Sequence, residues 1–203
     1  MGPVDFHKWL VREVDKDGFA SVRSLLVEGL SGDLVEIGAG TGAMFQYYGD
    51  NVSVSAIEPD EAFRAAAQQE ARERSATIQV LAGVAESLPF DDASIDAVVA
   101  STVLCSVQSV QKTLAEFRRV LKPDADLRLL EHVRGERWPD GPLMDLLNPF
   151  WLRVNKVGCN WNRRPVGSVR DAGFRIVSVQ NYKFFSPASP AAFPLRLIKA
   201  KNS

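Results

Sequence analysis

The sequence predicts an α/β fold, a doubly wound and mostly parallel seven-stranded sheet that ends in a C-terminal antiparallel hairpin. Three observations point there. Short apolar runs alternate with helical patterns from residue 33 onward, the signature of βαβ units. The first run, Leu34 to Ile37, breaks at once into alternate glycines, Gly38, Gly40 and Gly42, as a strand-to-turn-to-helix connection requires. Two strand-like runs with a Pro-rich connection close the chain. With 203 residues the chain fits a single domain, 1–203, whose core is large enough to bury most of its surface.

Before the first strand, Pro3 to Leu30 carries helical periodicity, with Phe6, Leu10 and Val14 and then Val22, Leu25, Leu26 and Leu30 on one face. Asp17-Gly18 divides it into two pieces. Residues 1–30 are placed either as a lid over a ligand, touching it through Phe6, His7 and Trp9, or as packing against the sheet edge; both readings stay open. The strands follow at Asp33 to Ile37, Val52 to Ile57, Thr77 to Leu81, Ile95 to Ala100 and Leu127 to Val133. Helices are expected from Gly42 to Tyr48, from the Asp60 cap to Arg74, and from Val110 to Leu121, where Lys122-Pro123 stops the last one. Glu86 to Ser94 is a polar, Pro-containing loop. The insertion at 135–165 mixes Trp138, Trp151 and Trp161 with leucines, Pro and Arg, which is too apolar for a solvated loop. Val166 to Ala172 reads as a helix, and Phe174 to Tyr182 with Phe193 to Lys199 as the hairpin.

Composition narrows the partners. A formal net charge of -1 and a pI near 6.2, with Lys and Arg spread along the chain, give no bulk attraction to nucleic acid. No apolar run reaches membrane-spanning length, so no integral membrane segment is expected and the default setting is cytoplasmic. The two cysteines, Cys105 and Cys159, make no disulfide framework and show no metal-ligand spacing, so no metal is expected. The oligomeric state stays open between monomer and weak dimer.

The glycine loop is a cofactor loop, since glycines let the backbone approach a ligand beside a helix start. Gly38, Gly40 and Ala43, with Glu58 about 20 residues on, also fit the dinucleotide fingerprint of a nicotinamide-dependent oxidoreductase. Glu36 argues against that reading, because a carboxylate there repels a pyrophosphate and favours a ligand with an ammonium and a sulfonium.

LVEIGAGTG (Leu34 to Gly42) followed by AIEPD (Ala56 to Asp60) resembles the first two motifs of class I S-adenosylmethionine-dependent methyltransferases. The resemblance implies that Gly38, Ala39, Gly40 and Gly42 wrap the methionine part of S-adenosylmethionine, with Glu36 at its amine. It gives Glu58, beside Pro59, to the ribose. GVAESLPFDDASIDAVVAS (Gly83 to Ser101) is similar to the segment that carries adenine contacts in ubiquinone-biosynthesis-like methyltransferases, which implies Val84, Ala85 and Glu86 around the adenine and Ser101 and Thr102 on the floor. Where those relatives place an Asp, this chain has Val84. KPDAD (Lys122 to Asp126) lacks their double glycine. TVLCSV (Thr102 to Val107), EHV (Glu131 to Val133), NPFW (Asn148 to Trp151) and GCNWNR (Gly158 to Arg163) resemble the methyltransferase-like thiol methyltransferases and their small bacterial relatives.

The expected chemistry is methyl transfer to a small-molecule acceptor, first choice a thiol, leaving S-adenosylhomocysteine. An in-line displacement on an activated donor needs positioning and dryness, and no metal. A thiol needs only deprotonation, for which His132 at the end of the fifth strand is the base expected. Glu131, its neighbour, points to the opposite face. Cys105, Trp138, Trp151, Cys159 and Arg163 are the acceptor-side residues. The alternatives are carbon or oxygen transfer to a quinone-like or phenolic acceptor, or a non-catalytic cofactor-binding domain.

Overall fold

The computed structural model describes residues 1–135, 140–154, 158–184 and 193–203. Seven strands form one sheet: β1 (Gly32–Ile37), β2 (Val52–Ile57), β3 (Thr77–Leu81), β4 (Ile95–Ser101), β5 (Leu121–His132), β6 (Phe174–Phe184) and β7 (Phe193–Asn202). Their spatial order is β3-β2-β1-β4-β5-β7-β6. The first five are parallel, and β7 runs antiparallel to both β5 and β6. The described residues include six α-helices: α1 (Pro3–Val14), α2 (Ala20–Val27), α3 (Glu61–Ala71), α4 (Val110–Val120), α5 (Asp140–Val154) and α6 (Pro165–Asp171). This is the doubly wound sheet with a terminal antiparallel hairpin that the alternation predicted.

Period-two alternation divides the core into two layers. Leu34, Val54, Ala97 and Val99 pack on one face with Phe19, Val22, Leu26 and Phe45. Val35, Ile37, Val98 and Ala100 pack on the other with Leu114, Phe117 and Val169 from α4 and α6. Glu36 falls between Val35 and Ile37, so the same alternation sends it to the first face and buries it there.

Three local expectations are corrected. The segment after Gly42 makes turns and a single short 3-10 stretch, Phe45–Tyr47, rather than a helix to Tyr48. Tyr48 is already extended and β2 begins at Val52, leaving too few residues to nucleate an α-helix. Asp17-Gly18 does not separate two helices. It widens the helix into a π-helical turn, Asp15–Phe19, held by the buried Arg23 pairing with Asp15 across it at 2.9 Å. Finally, β5 starts at Leu121, through Lys122-Pro123, because Ile95 of β4 pairs with Leu121 before the register shifts. Asp124 takes a left-handed φ of +61° in that irregularity.

Candidate active site

The carboxyl ends of β1, β2 and β4 converge on the glycine loop. Gly38 and Ala39 donate their amides to Ile57 O at 2.8 and 3.1 Å, which ties the loop to the end of β2. Gly38 and Gly40 have φ of +66° and +57°, a region L side chains rarely occupy. A Cβ at Gly38 would also stand 2.7 Å from Val103 Cγ2, so the loop after β1 touches the loop after β4. Glu58 accepts the Gly40 amide at 2.8 Å and the Asp60 amide at 3.0 Å. Burial nevertheless holds its pKa above the usual value. Two carboxylate oxygens with one such bond each keep lone pairs for ribose hydroxyls. Pro59 is exposed beside it. Asp60 caps α3 through the Ala62 and Phe63 amides.

Glu36 is 2% exposed, and its Oε2 has no hydrogen-bond partner. Burial pushes its pKa up to about 8, opposed by the neighbouring Tyr48 hydroxyl and the Arg23 guanidinium. A buried carboxyl with an unanswered oxygen is the group a cationic methionine amine would satisfy, and the glycine loop beside it leaves backbone where side chains would otherwise stand. The residues present therefore fit S-adenosylmethionine.

From α1, His7 reaches this loop. Its Nδ1 lies 3.1 Å from Thr41 Oγ1, its ring meets Phe63 edge-on at 5.3 Å, and a Cβ at Gly40 would come within 3.2 Å of it. Burial, then the nearby Arg23 charge, brings its pKa down to about 4. Phe6 and Trp9 instead pair with one another at 5.6 Å and stay exposed.

The expected adenine segment is divided in its placement. Val84 is exposed, Ala85 is buried in the second core layer, and Glu86 accepts the Gln108 and Ser109 amides at 2.8 and 3.2 Å ahead of α4. On the floor, Thr102 holds a φ of +59°, unusual for a β-branched residue. Its amide donates to Leu130 O at 2.6 Å and its hydroxyl to Ser101 O at 2.7 Å.

Beyond Thr102 the fold brings together Cys105, Cys159 and Arg163, three of the residues expected on the acceptor side, with His132. Glu131 is fully buried and accepts the Val103 and Leu104 amides, each at 2.8 Å. Burial raises its pKa to about 8. It thus fixes the turn that presents Cys105, while His132 lines a cavity of about 720 Å³ between α4 and α6 together with Leu104, Cys105, Gln108 and Arg163. The glycine-loop residues do not line that cavity. Cys159 Sγ lies 3.6 Å from His132 Nδ1, and the Cys105 thiol, within 4.8 Å of both, donates to Thr102 O at 3.3 Å. The neighbouring Cys159 thiol, then burial, push the Cys105 thiol up, and the Cys105 neighbour in turn lowers Cys159. Sequence spacing predicted no His/Cys cluster; the fold makes one from three distant segments.

The aromatic and basic residues are built into the support. Trp151 stacks on Trp161 at 4.6 Å and donates its indole N–H to Cys159 O at 2.9 Å. Arg163 donates to Leu104 O and, at 2.8 Å, to Val107 O. Trp138 lies outside the described residues. Sequence reasoning missed Arg23, Tyr48 and Asn160. Arg23 had a signal, a charge inside the apolar stripe of Val22, Leu25 and Leu26, whereas Asn160 had only its place in GCNWNR.

Comparison with known proteins fits this geometry. The methyltransferase-domain family matches residues 35–129. Thiol S-methyltransferase TMT1B of Rattus norvegicus is 32% identical over 166 residues, covering 80% of this chain and 68% of that protein. Its Homo sapiens counterpart is 33% identical over 169 residues, with the same coverage. Among solved structures, YcgJ of Bacillus subtilis superposes with a TM-score of 0.70 at 18% identity, covering 89% of this chain and 95% of that one, a likeness of fold. At such identity over so much of the relatives' length, the kinship is one of family: this chain belongs to the class I S-adenosylmethionine-dependent methyltransferases, with S-adenosylmethionine as its cofactor.

Proposed function

We propose that this enzyme methylates the sulfur of a small thiol. One observation carries the reading: Cys105 and His132 line a cavity directly beyond the Thr102 turn, and that turn adjoins the glycine loop through Val103. The kinship with thiol S-methyltransferases supports it. Bound in the glycine cradle, S-adenosylmethionine supplies a methyl group already activated on a sulfonium. Glu36 would pair with its amine and Glu58 would hold its ribose; exposed Val84 would face the adenine, while buried Ala85 and Glu86, which accepts the Gln108 and Ser109 amides, would fix the segment beside it. His7 covers Gly40 and keeps water from the loop. Thr102 and Val103 set the distance between the cradle and the acceptor. His132 takes the thiol proton, leaving the sulfur anionic as it meets the methyl group. The setting proposed is the cytoplasm, where free thiols persist.

Two measurements test it. Calorimetric titration with S-adenosylhomocysteine should give micromolar binding. Product analysis across alkyl thiols, phenols and quinones should show S-methyl products, and His132→Ala should lower kcat roughly 100-fold or more with S-adenosylhomocysteine affinity retained. Methylation confined to phenols or quinones would overturn the thiol reading. That second reading has its own support, since a demethylmenaquinone methyltransferase of Renibacterium salmoninarum is 35% identical over 99 residues. Binding without turnover on any acceptor would mark a cofactor-binding domain. The nicotinamide reading is set aside by the family.

A further inference from the structure

Cys105, His132 and Cys159 come from the turn after β4, the end of β5 and the stretch before α6. One ligand atom from each, two Sγ and an imidazole nitrogen, lie within 4.8 Å of one another. Cys159 Sγ and His132 Nδ1 are 3.6 Å apart. A tetrahedral ion bound about 2.3 Å from sulfur and about 2.0 Å from nitrogen sets neighbouring ligand atoms about 3.5–3.8 Å apart. The observed spacing is already near that, and closing it takes a movement of about 1 Å or less.

The backbone around both sulfurs is fixed by bonds that do not use the sulfurs. Glu131 holds the Val103 and Leu104 amides. Asn160 ties its own amide and its side-chain Nδ2 to Cys105 O at 2.8 and 3.1 Å, and Asn148 steadies Asn160 at 3.2 Å. Trp151 holds Cys159 O. Partners of this kind orient ligands around bound metals. Two thiolates and a neutral imidazole balance a divalent cation, and thiolate donors select a soft or borderline ion over magnesium or calcium.

We infer that Cys105, His132 and Cys159 form a Cys2His site for a soft divalent cation, Zn²⁺ in the first instance. Its fourth position is open toward the cavity between α4 and α6. Three protein ligands with one open position is the arrangement of zinc sites that act on a bound ligand. The site stands on the ligand geometry; a thiol as its fourth ligand rests on the thiol reading above. On entry the thiol S–H bond breaks, its proton leaves to solvent water, and a metal–sulfur bond replaces a metal–water bond. No oxidation is involved. With the ion bound, His132 is its ligand in place of the base role proposed above, and the ion would lower the thiol pKa.

The test is Co²⁺ titration of the whole, reduced, chelator-treated protein, followed by optical absorption, then Zn²⁺ competition. The expected result is one equivalent of Co²⁺, a thiolate-to-cobalt charge-transfer band and the strong visible bands of four-coordinate cobalt, all displaced by Zn²⁺. Cys105→Ser, Cys159→Ser and His132→Ala should each weaken binding at least tenfold while S-adenosylhomocysteine still binds, which reports folding. If a variant fails to fold, the charge-transfer intensity of the wild-type protein still decides whether two thiolates ligate. No such spectrum, or affinity unmoved by the substitutions, overturns the site. An alkyl thiol should shift the charge-transfer band. Full thiol methylation by metal-free protein would overturn the ion's part in activating the thiol and leave the thiol reading standing. A bound metal indifferent to thiols, with no thiol methylated, would sink the thiol reading and leave the metal site.

Discussion

In the proposed pairing with the cofactor amine, Glu36 is the residue on which cofactor affinity and stability are set against each other. Its carboxyl has no partner for Oε2, and burial raises its pKa from an ordinary 4.5 to about 8. Between these values the folded protein holds a proton that the unfolded chain has released. The stability this group contributes is therefore complete below about pH 4.5 and is lost as pH rises toward 8. A cationic amine reverses the preference. The expected outcome is that S-adenosylhomocysteine affinity, followed by calorimetry from pH 5 to 8, rises by up to about tenfold per unit. Glu36→Gln should bind weakly with a flat profile and lose part of the downward stability slope in urea titrations, with Glu131 supplying the rest. A wild-type affinity indifferent to pH would refute the pairing. At this scale the sequence was informative where the chemistry is local. Gly38, Gly40, Glu36 and Glu58 announce themselves within 25 residues of chain because a tight turn has few solutions. The Cys105, His132 and Cys159 cluster could not be read so, since Cys159 and His132 stand 27 residues apart and only sheet order and the Asn160 clasp bring them together.

Among the elements, α1 is the one whose docking has a chemical handle. His7 packs neutral against Thr41 and Phe63, and its pKa falls from 6.5 to about 4. An undocked α1 takes up a proton near pH 6.5 that the docked one refuses. Docking contributed by the neutral ring is complete above pH 6.5 and is lost as pH falls toward 4. Hydrogen exchange of the α1 amides should accordingly show easier opening at pH 5 than at pH 7 after correction for intrinsic rates, and His7→Gln should remove the difference. Equal protection at both pH values in the wild-type protein would sink this account. Periodicity found α1 and α2 because an apolar stripe at helical spacing is dense. It misread the turn after Gly42, where Met44, Phe45 and Tyr48 are buried without an α-helix to carry them.

The whole molecule is closed by its C-terminal residues. Asn202 Nδ2 donates to Arg118 O, Leu121 O and Lys122 O at 3.1, 2.8 and 3.3 Å, joining β7 to the end of α4 and the start of β5. Arg118 answers with bonds to Ala172 O and Ser203 O, each at 2.8 Å. Asn202→Ala removes this donor from all three carbonyls and should cost roughly 2 kcal/mol, lowering Tm by about 4–8 °C. An unchanged melting curve would show that water replaces the amide. The alternation of runs foretold seven strands and a hairpin, but not which strand of the hairpin joins β5. Local pattern specifies what a segment becomes, while neighbour choice depends on how long connections are routed.

The position of β7 inside the sheet has a consequence for how the chain comes together in time. A polypeptide emerging from the ribosome N-terminus first can assemble β1 to β5 with their helices early. Its β5 then waits with an unfilled edge while β6 emerges, and pairs only when β7 slips between them. During that interval a Leu-rich edge, Leu127 to Leu130, offers its hydrogen-bonding groups to any passing strand. Nascent chains are thus most open to mispairing in the interval between the emergence of β5 and that of β7, after β1 to β4 and the glycine loop have been made.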